Sequence, residues 1–396
     1  MSYPCTVNDI QPYLLYEYKD KENKYAIGSI SRDRFIEVNE SSTPVVMKTI
    51  NLMDGSKSFD EIDKTVFEST GISIKSKDLY EILSRADLLS EANNNKAEKS
   101  EFETLALKIL DFKIEKYKKF FSYLSFLAVP TLFVSVLLVI FTSAFVYSNS
   151  NYLSSFSLLG FQDHYVRNFL IMFVVMALSV SFHEIAHGIT ASKYNITPKS
   201  FSISLYLYVS PIVYIRLPGL YAIKPIQRIH IWISGVVVNS LFACCGLIAS
   251  ILLTKHDASQ FYISICNYTW YINLIFVIAN LCPLMPLDGY FILATIMKIP
   301  NMRKHSFTKL GKSLRSRKVK ITISQLIYFI LSIAVMGFVV IKEIYAMIHI
   351  FAINFPKGML AALWSIKQYL ILIIFIVAIR IIRAKASKKL NNRSLS

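Results

Sequence analysis

Apolar residues run almost unbroken through six stretches of the chain, at 120–147, 166–190, 229–253, 261–281, 321–341 and 360–382. Each is close to the roughly 20 residues that a helix needs to cross about 30 Å of hydrocarbon, so the pattern predicts six membrane crossings. The tract 201–208 is different. Phe201, Ile203 and Leu205 alternate with Ser202 and Ser204, and Pro211 lies just beyond, which predicts a β-hairpin or a re-entrant segment. Ahead of the crossings, residues 1–95 change period from two to nearly four. Strands are expected at 13–18, 24–30 and 34–38 and helices at 44–53, 59–68 and 78–89, a small winged-helix-like α+β domain. Asp54-Gly55 ends the first of these helices, and Ser58 with Glu61 forms a capping box that opens the second. In the linker 96–119, Phe102, Leu105, Ile109 and Phe112 recur three or four apart beside a lysine cluster, which predicts an amphipathic helix.

Composition turns this pattern into a class. A chain of 396 residues with 54% hydrophobic and 17% charged residues does not describe one soluble core. Its net charge of +17 raises the question of nucleic acid. The Lys and Arg residues instead cluster at 113–119, 303–320 and 380–393, beside alternate apolar stretches. That is the positive-inside arrangement of a cell-membrane protein with both termini cytoplasmic, and it argues against a nucleic-acid partner. The expected organisation is therefore membrane all-α, with a six-helix domain at 120–382 and a basic cytoplasmic tail at 383–396. No basic-then-apolar leader opens the chain, and the five cysteines lack C-x-x-C spacing, so neither a cleaved signal nor a cysteine-ligated metal is expected.

Chemistry concentrates at the end of the second crossing, in His183-Glu184-Ile185-Ala186-His187. Residues four apart share one helix face, so both imidazoles can hold a Zn2+ ion while Glu184 acts as general base on water. Ionisable residues inside an apolar helix are costly to insert and mark function by default. The competing reading is a histidine pair lining a polar bundle interior. A catalytic zinc needs a third protein ligand, and the candidate is Asp288, where Pro283, Pro286 and Gly289 break the fourth crossing. Asp288 could equally cap the helix that follows.

These two motifs, H-E-x-x-H and Asn280-x-x-Pro283 through Leu287-Asp288-Gly289, resemble those of the site-2 protease family of intramembrane zinc metallopeptidases. The likeness extends to Gly188, Ala191 and Tyr194, and to Arg228, Gly235 and Asn239. It implies His183, His187 and Asp288 as metal ligands, Glu184 as the catalytic residue and Asn280 as a substrate-binding residue. Arg216 stands where peptide-processing members often carry an acid. Residues 50–62 and 79–89 are similar to PqqD-like peptide-recognition domains, which take a leader peptide by strand addition, here expected on 34–38. Together the resemblances imply a metalloendopeptidase maturing a ribosomally made, modified peptide precursor. Cleavage of a membrane-anchored regulator and a non-catalytic export or immunity component are the alternatives.

Overall fold

The computed structural model describes residues 4–19, 21–90, 106–152, 165–206, 210–285, 287–299, 302 and 323–366. The chain forms two compact units, one of Met1–Lys99, Asp111–Ser202 and Val213–Pro300, the other of Ser100–Leu110, Ile203–Ile212 and Asn301–Ser396.

The first unit opens with an antiparallel sheet of β1 (Ile10–Tyr16), β2 (Lys24–Ser29) and β3 (Arg34–Asn39), in that spatial order. Three helices follow: α1 (Thr43–Leu52), α2 (Phe59–Thr70) and α3 (Ser76–Arg85). All six elements occur in the expected order, with β1 starting about three residues and α3 about two residues earlier than the period of the sequence places them. At α2 the Ser58 hydroxyl and Glu61 carboxylate satisfy each other's free backbone amides, so the expected capping box is present. Ile10 and Ile27 from the sheet meet Val46, Ile50, Ile62, Val66, Leu79 and Leu83 from the helices in one buried core. Each such side chain contributes about 1.5–3 kcal/mol on burial, which gives this small domain a centre of its own.

Among the described residues, four helices are long and apolar enough to cross a membrane: Glu115–Ser148, Leu170–Lys193, Pro225–Lys255 and Gln260–Leu281. The first consists of α4 (Lys118–Leu124) and α5 (Ala128–Ser148), separated by a 3-10 turn at Ser125–Leu127. Pro130 accounts for the break, because it has no N–H for the carbonyl of Phe126 and its ring crowds that turn. The others belong to α6 (Tyr165–Lys193), α7 (Pro225–Lys255) and α8 (Gln260–Leu281), and the short α9 (Asp288–Ile296) follows. In the second unit, α10 (Ile323–Asn354) runs past the expected end at Ile341, and α11 (Met359–Ser365) begins the region expected to cross at 360–382. Beyond Ile366 that region, the tail 383–396, the basic loop 303–320 and the linker residues 96–105 lie outside the described residues.

One expectation is corrected. The described part of the 96–119 linker is not an amphipathic helix. Ala106–Lys113 is strand β4, followed by a 3-10 turn at Glu115–Tyr117. It joins β5 (Ser200–Tyr206) and β6 (Ser210–Arg216) in a sheet of order β4-β5-β6, so the alternating tract is a strand of a real sheet. Pairing overrides the local period: Ser202 donates to the Asp111 carboxylate at 2.6 Å and the Ile114 amide donates to the Lys199 carbonyl at 3.1 Å. Ile109 and Phe112, which a helix would have turned toward one face, are half exposed. Because β5 is flanked on both sides, its residues offer no free edge to an incoming strand. The edges are β4 and β6.

Within the first unit the N-terminal domain is seated on the helices. The register of β1 against β2 slips between Leu14 and Tyr16, a bulge that takes the Leu15 carbonyl out of the ladder. Arg228, in the first turn of α7 and 1% exposed, donates to that carbonyl at 2.5 Å. Its guanidinium lies 5.0 Å from the Tyr16 ring and 5.9 Å from that of Tyr221. At the β2–β3 turn, Asp33 accepts the Gly219 amide at 3.1 Å and stands 3.8 Å from Arg216. Burial pushes the Asp33 carboxyl above its ordinary value despite the opposing Gly219 amide and Arg216.

Candidate metal centre

His183 and His187 lie four residues apart on α6 and are both buried. Asp288 reaches them because the chain turns sharply between α8 and α9. A Cβ at Gly289 would stand 2.6 Å from the Leu281 carbonyl and 2.7 Å from that of Asn280, so only glycine lets the first turn of α9 fold against the end of α8. The alternative role of Asp288 as a cap is not met: Leu287 holds the cap position of α9, no side chain caps it, and the Asp288 carboxylate faces the histidines.

The separations among the three groups would suit a shared ion. His183 Nε2 and Asp288 Oδ2 are 3.0 Å apart, His187 Nε2 and Asp288 Oδ2 3.4 Å, and the two Nε2 atoms 3.1 Å. Donors held tetrahedrally at about 2.0–2.1 Å from one zinc would be about 3.4 Å apart. The neighbouring contacts direct the ring lone pairs inward. His187 Nδ1 donates to the Ile231 carbonyl at 2.7 Å, which leaves Nε2 unprotonated in the neutral ring, and Ser234 bonds the same carbonyl. The Asn239 amide lies 3.0 Å from His183 Nδ1. With its oxygen turned to that atom it accepts Nδ1–H and frees Nε2 in the same way. Asp288 Oδ2 is then buried among lone pairs with no proton to bond, and it has no hydrogen-bond partner among the described residues. His183, His187 and Asp288 thus form a buried group that could hold a metal ion, and the donor set fits one.

Other positions complete the site. A Cβ at Gly235 would meet His183 Nε2 at 2.5 Å, so α7 approaches the ligand ring only through a glycine. The Trp232 ring stacks on Phe291 of α9 at 4.7 Å and meets the His187 ring edge-on at 6.1 Å, which ties α9 to α7 beside the ligands. Glu184 accepts the Ile215 amide of β6 at 2.9 Å, so the carboxylate beside the first ligand is anchored to the sheet. Asn280 lies on α8 next to the Gly289 turn, but its side-chain amide donates to the Phe276 carbonyl of its own helix at 3.0 Å.

The roles of Ser234, Trp232 and Ile215, and the contacts that Gly235 and Asn239 make beyond their place in the resemblance, are not legible from the motifs, because they depend on which helix faces α6. The spacing Gly235-x-x-x-Asn239 on an apolar helix is the one trace of them in the sequence. No family model, curated protein or solved structure matches the chain, so the functional reading rests on this geometry and on the motifs.

Proposed function

We propose that the chain is a cell-membrane zinc metallopeptidase that hydrolyses a peptide bond in a ribosomally made peptide precursor. The observation that carries the reading is a buried two-histidine, one-aspartate donor set with the Glu184 carboxylate one residue from the first ligand. Three protein ligands leave a fourth position open, the arrangement of catalytic rather than structural zinc. Zinc bound there would polarise the scissile carbonyl and make water a nucleophile near neutral pH. Glu184 takes the proton of the attacking water and delivers it to the leaving amine. The Ile215 amide holds one Glu184 oxygen, which limits the rotamers from which the other can act.

The edge of β6 suits an extended substrate. Arg216 uses its carbonyl to accept the Lys199 amide next to β5, so the Ile215 amide points the other way, toward Glu184. A peptide unwound from helical form and laid along that edge would pass the carboxylate. Asn280, beside the turn that delivers Asp288, is the proposed substrate contact from α9's side. The N-terminal domain recruits the precursor on β3, an edge strand of its sheet. Six crossings with both termini cytoplasmic complete the reading.

The test is metal and turnover together. Purified full-length protein should carry one zinc per chain, and His183→Ala, His187→Ala and Asp288→Ala should each lower that occupancy. Glu184→Gln should keep the metal and slow precursor processing by about 10²–10⁴-fold. Unchanged zinc in all three ligand variants, or near wild-type cutting by Glu184→Gln, would sink the proposal.

A further inference from the structure

Deep in the helices, away from the ligands, one polar pair has no part in the chemistry above. Asn273 of α8 is fully buried, and Ser179 of α6 is 2% exposed. The Asn273 amide donates to the Ser179 hydroxyl at 2.8 Å and to the carbonyl of Thr269 at 2.8 Å. Its Oδ1, equally buried, has no hydrogen-bond partner among the described residues. A polar side chain carried into a membrane-spanning helix with one of its atoms unsatisfied is costly, and such residues are expected to serve a purpose there.

Placement indicates the purpose. Ser179 precedes His183 by four residues, so the two share a face of α6 one turn apart. Asn273 lies eight residues before Leu281, the last residue of α8, against whose carbonyl Gly289 folds to present Asp288. Eight residues of helix make a rigid arm of about 12 Å. Apolar packing cannot by itself choose how far α8 slides or turns against α6, because lipid tails are as apolar as the helix faces, whereas a hydrogen bond between fixed positions can.

We propose that Asn273 is a positioning residue for the metal centre: its bond to Ser179 sets the register of α8 against α6, and hence the reach of Asp288 to His183 and His187. The inference rests on the reading of those three residues as metal ligands. A second polar pair provides the control. Ser250 of α7 donates to Asn267, six residues earlier on α8, and that bond joins α8 to α7 instead of to the helix that carries the histidines.

The experiment measures metal affinity of the full chain in detergent by chelator competition, with cobalt(II) absorption as a second readout of ligand geometry. Asn273→Ala should weaken zinc binding by about 3- to 20-fold, the range set by measured interhelical hydrogen bonds in membranes. Ser179→Ala, which removes the acceptor at little cost in volume, should do the same. Both should alter the cobalt bands. The exchange of partners, Ser179→Asn with Asn273→Ser, should restore affinity and spectrum. Ser250→Ala should lower the thermal midpoint yet leave zinc affinity within about twofold, since it loosens a different helix pair. Wild-type affinity and spectrum in Ser179→Ala and Asn273→Ala would overturn the inference. So would an equal loss in Ser250→Ala, which would make the bond a matter of general stability. If the wild-type chain binds neither zinc nor cobalt, it is the metal assignment itself that fails.

Discussion

A methyl group at position 235 would stand 2.5 Å from His183 Nε2 and 2.7 Å from its Cδ2, well inside contact distance of two edges of the ligand ring. Gly235→Ala should therefore push the ring off its position, at a cost typical of overpacking, about 1–3 kcal/mol, or 5- to 150-fold in metal affinity. Chelator competition checks this, and an unchanged affinity would mean that α7 can retreat without loss. The grouping of His183, His187 and Asp288 was legible because it follows from spacing along one helix and from a proline-broken turn, and Glu184 was singled out by the same spacing. Gly235 entered only through the resemblance, and its contact with His183 was not legible, because a glycine in an apolar helix carries no sign of which neighbour approaches it. Asn280 shows the converse: the motif singles it out, while its amide is spent within its own helix, so its proposed contact with substrate requires that bond to open.

Elements followed the sequence where local rules decide and departed from it where a distant partner decides. The capping box at Ser58 and the alternation of β1 to β3 are local. Strand β4 is not: Phe102, Leu105, Ile109 and Phe112 have helical spacing, but β5 supplies backbone partners that a helix there would leave unpaired on the sheet edge. The bulge at Leu15 is another non-local feature, since its freed carbonyl has meaning only opposite Arg228. Two opposing terms meet at that arginine. Its removal leaves the Leu15 carbonyl without a donor and empties the space between Tyr16 and Tyr221, but it also withdraws a buried cation whose Nε and Nη1 have no hydrogen-bond partner among the described residues. Truncation should win, because a cavity and an unsatisfied acceptor together outweigh relief of the cation. Arg228→Ala is expected to destabilise the chain by about 1–3 kcal/mol and to speed amide exchange in β1, with zinc content unchanged. Arg228→Met, which fills the space without the charge, should recover most of the loss. Identical β1 exchange in Arg228→Ala and wild type would show that the seating does not depend on this contact.

At the scale of the whole molecule, the first unit combines a domain with a core of its own and a set of membrane-length helices. The switch from strand to helix spacing within residues 1–95 made the domain visible in the sequence, and the resemblance to PqqD-like domains implied a module that binds a peptide and so raises its local concentration. Contacts at Leu15, Tyr16, Asp33 and Tyr18 point to a different relation. Tyr18 donates to the Lys298 carbonyl at 2.8 Å, Lys298 donates back to the Glu17 carbonyl, and Asp33 accepts from Gly219, so strand and turn grip the end of α9, the start of α7 and the segment after β6. Removing residues 1–95 would open Arg228, now 1% exposed, to water, and would take Asp33 from the Gly219 amide and Phe35 from the Tyr221 ring on either side of Leu220. Arg228 would gain hydration, but Leu220 belongs to the cluster that holds Ile215, whose amide anchors Glu184. The truncated protein should thus melt several degrees lower than the full chain and process precursor with a reduced kcat as well as a raised KM, whereas a pure tether would raise KM alone. The domain, supplied as a separate fragment, should restore part of the melting midpoint by binding the folded state. Calorimetry of the truncated protein with and without the fragment decides between the two relations. A truncated chain with the full-length midpoint and an unchanged kcat would make the domain a tether after all.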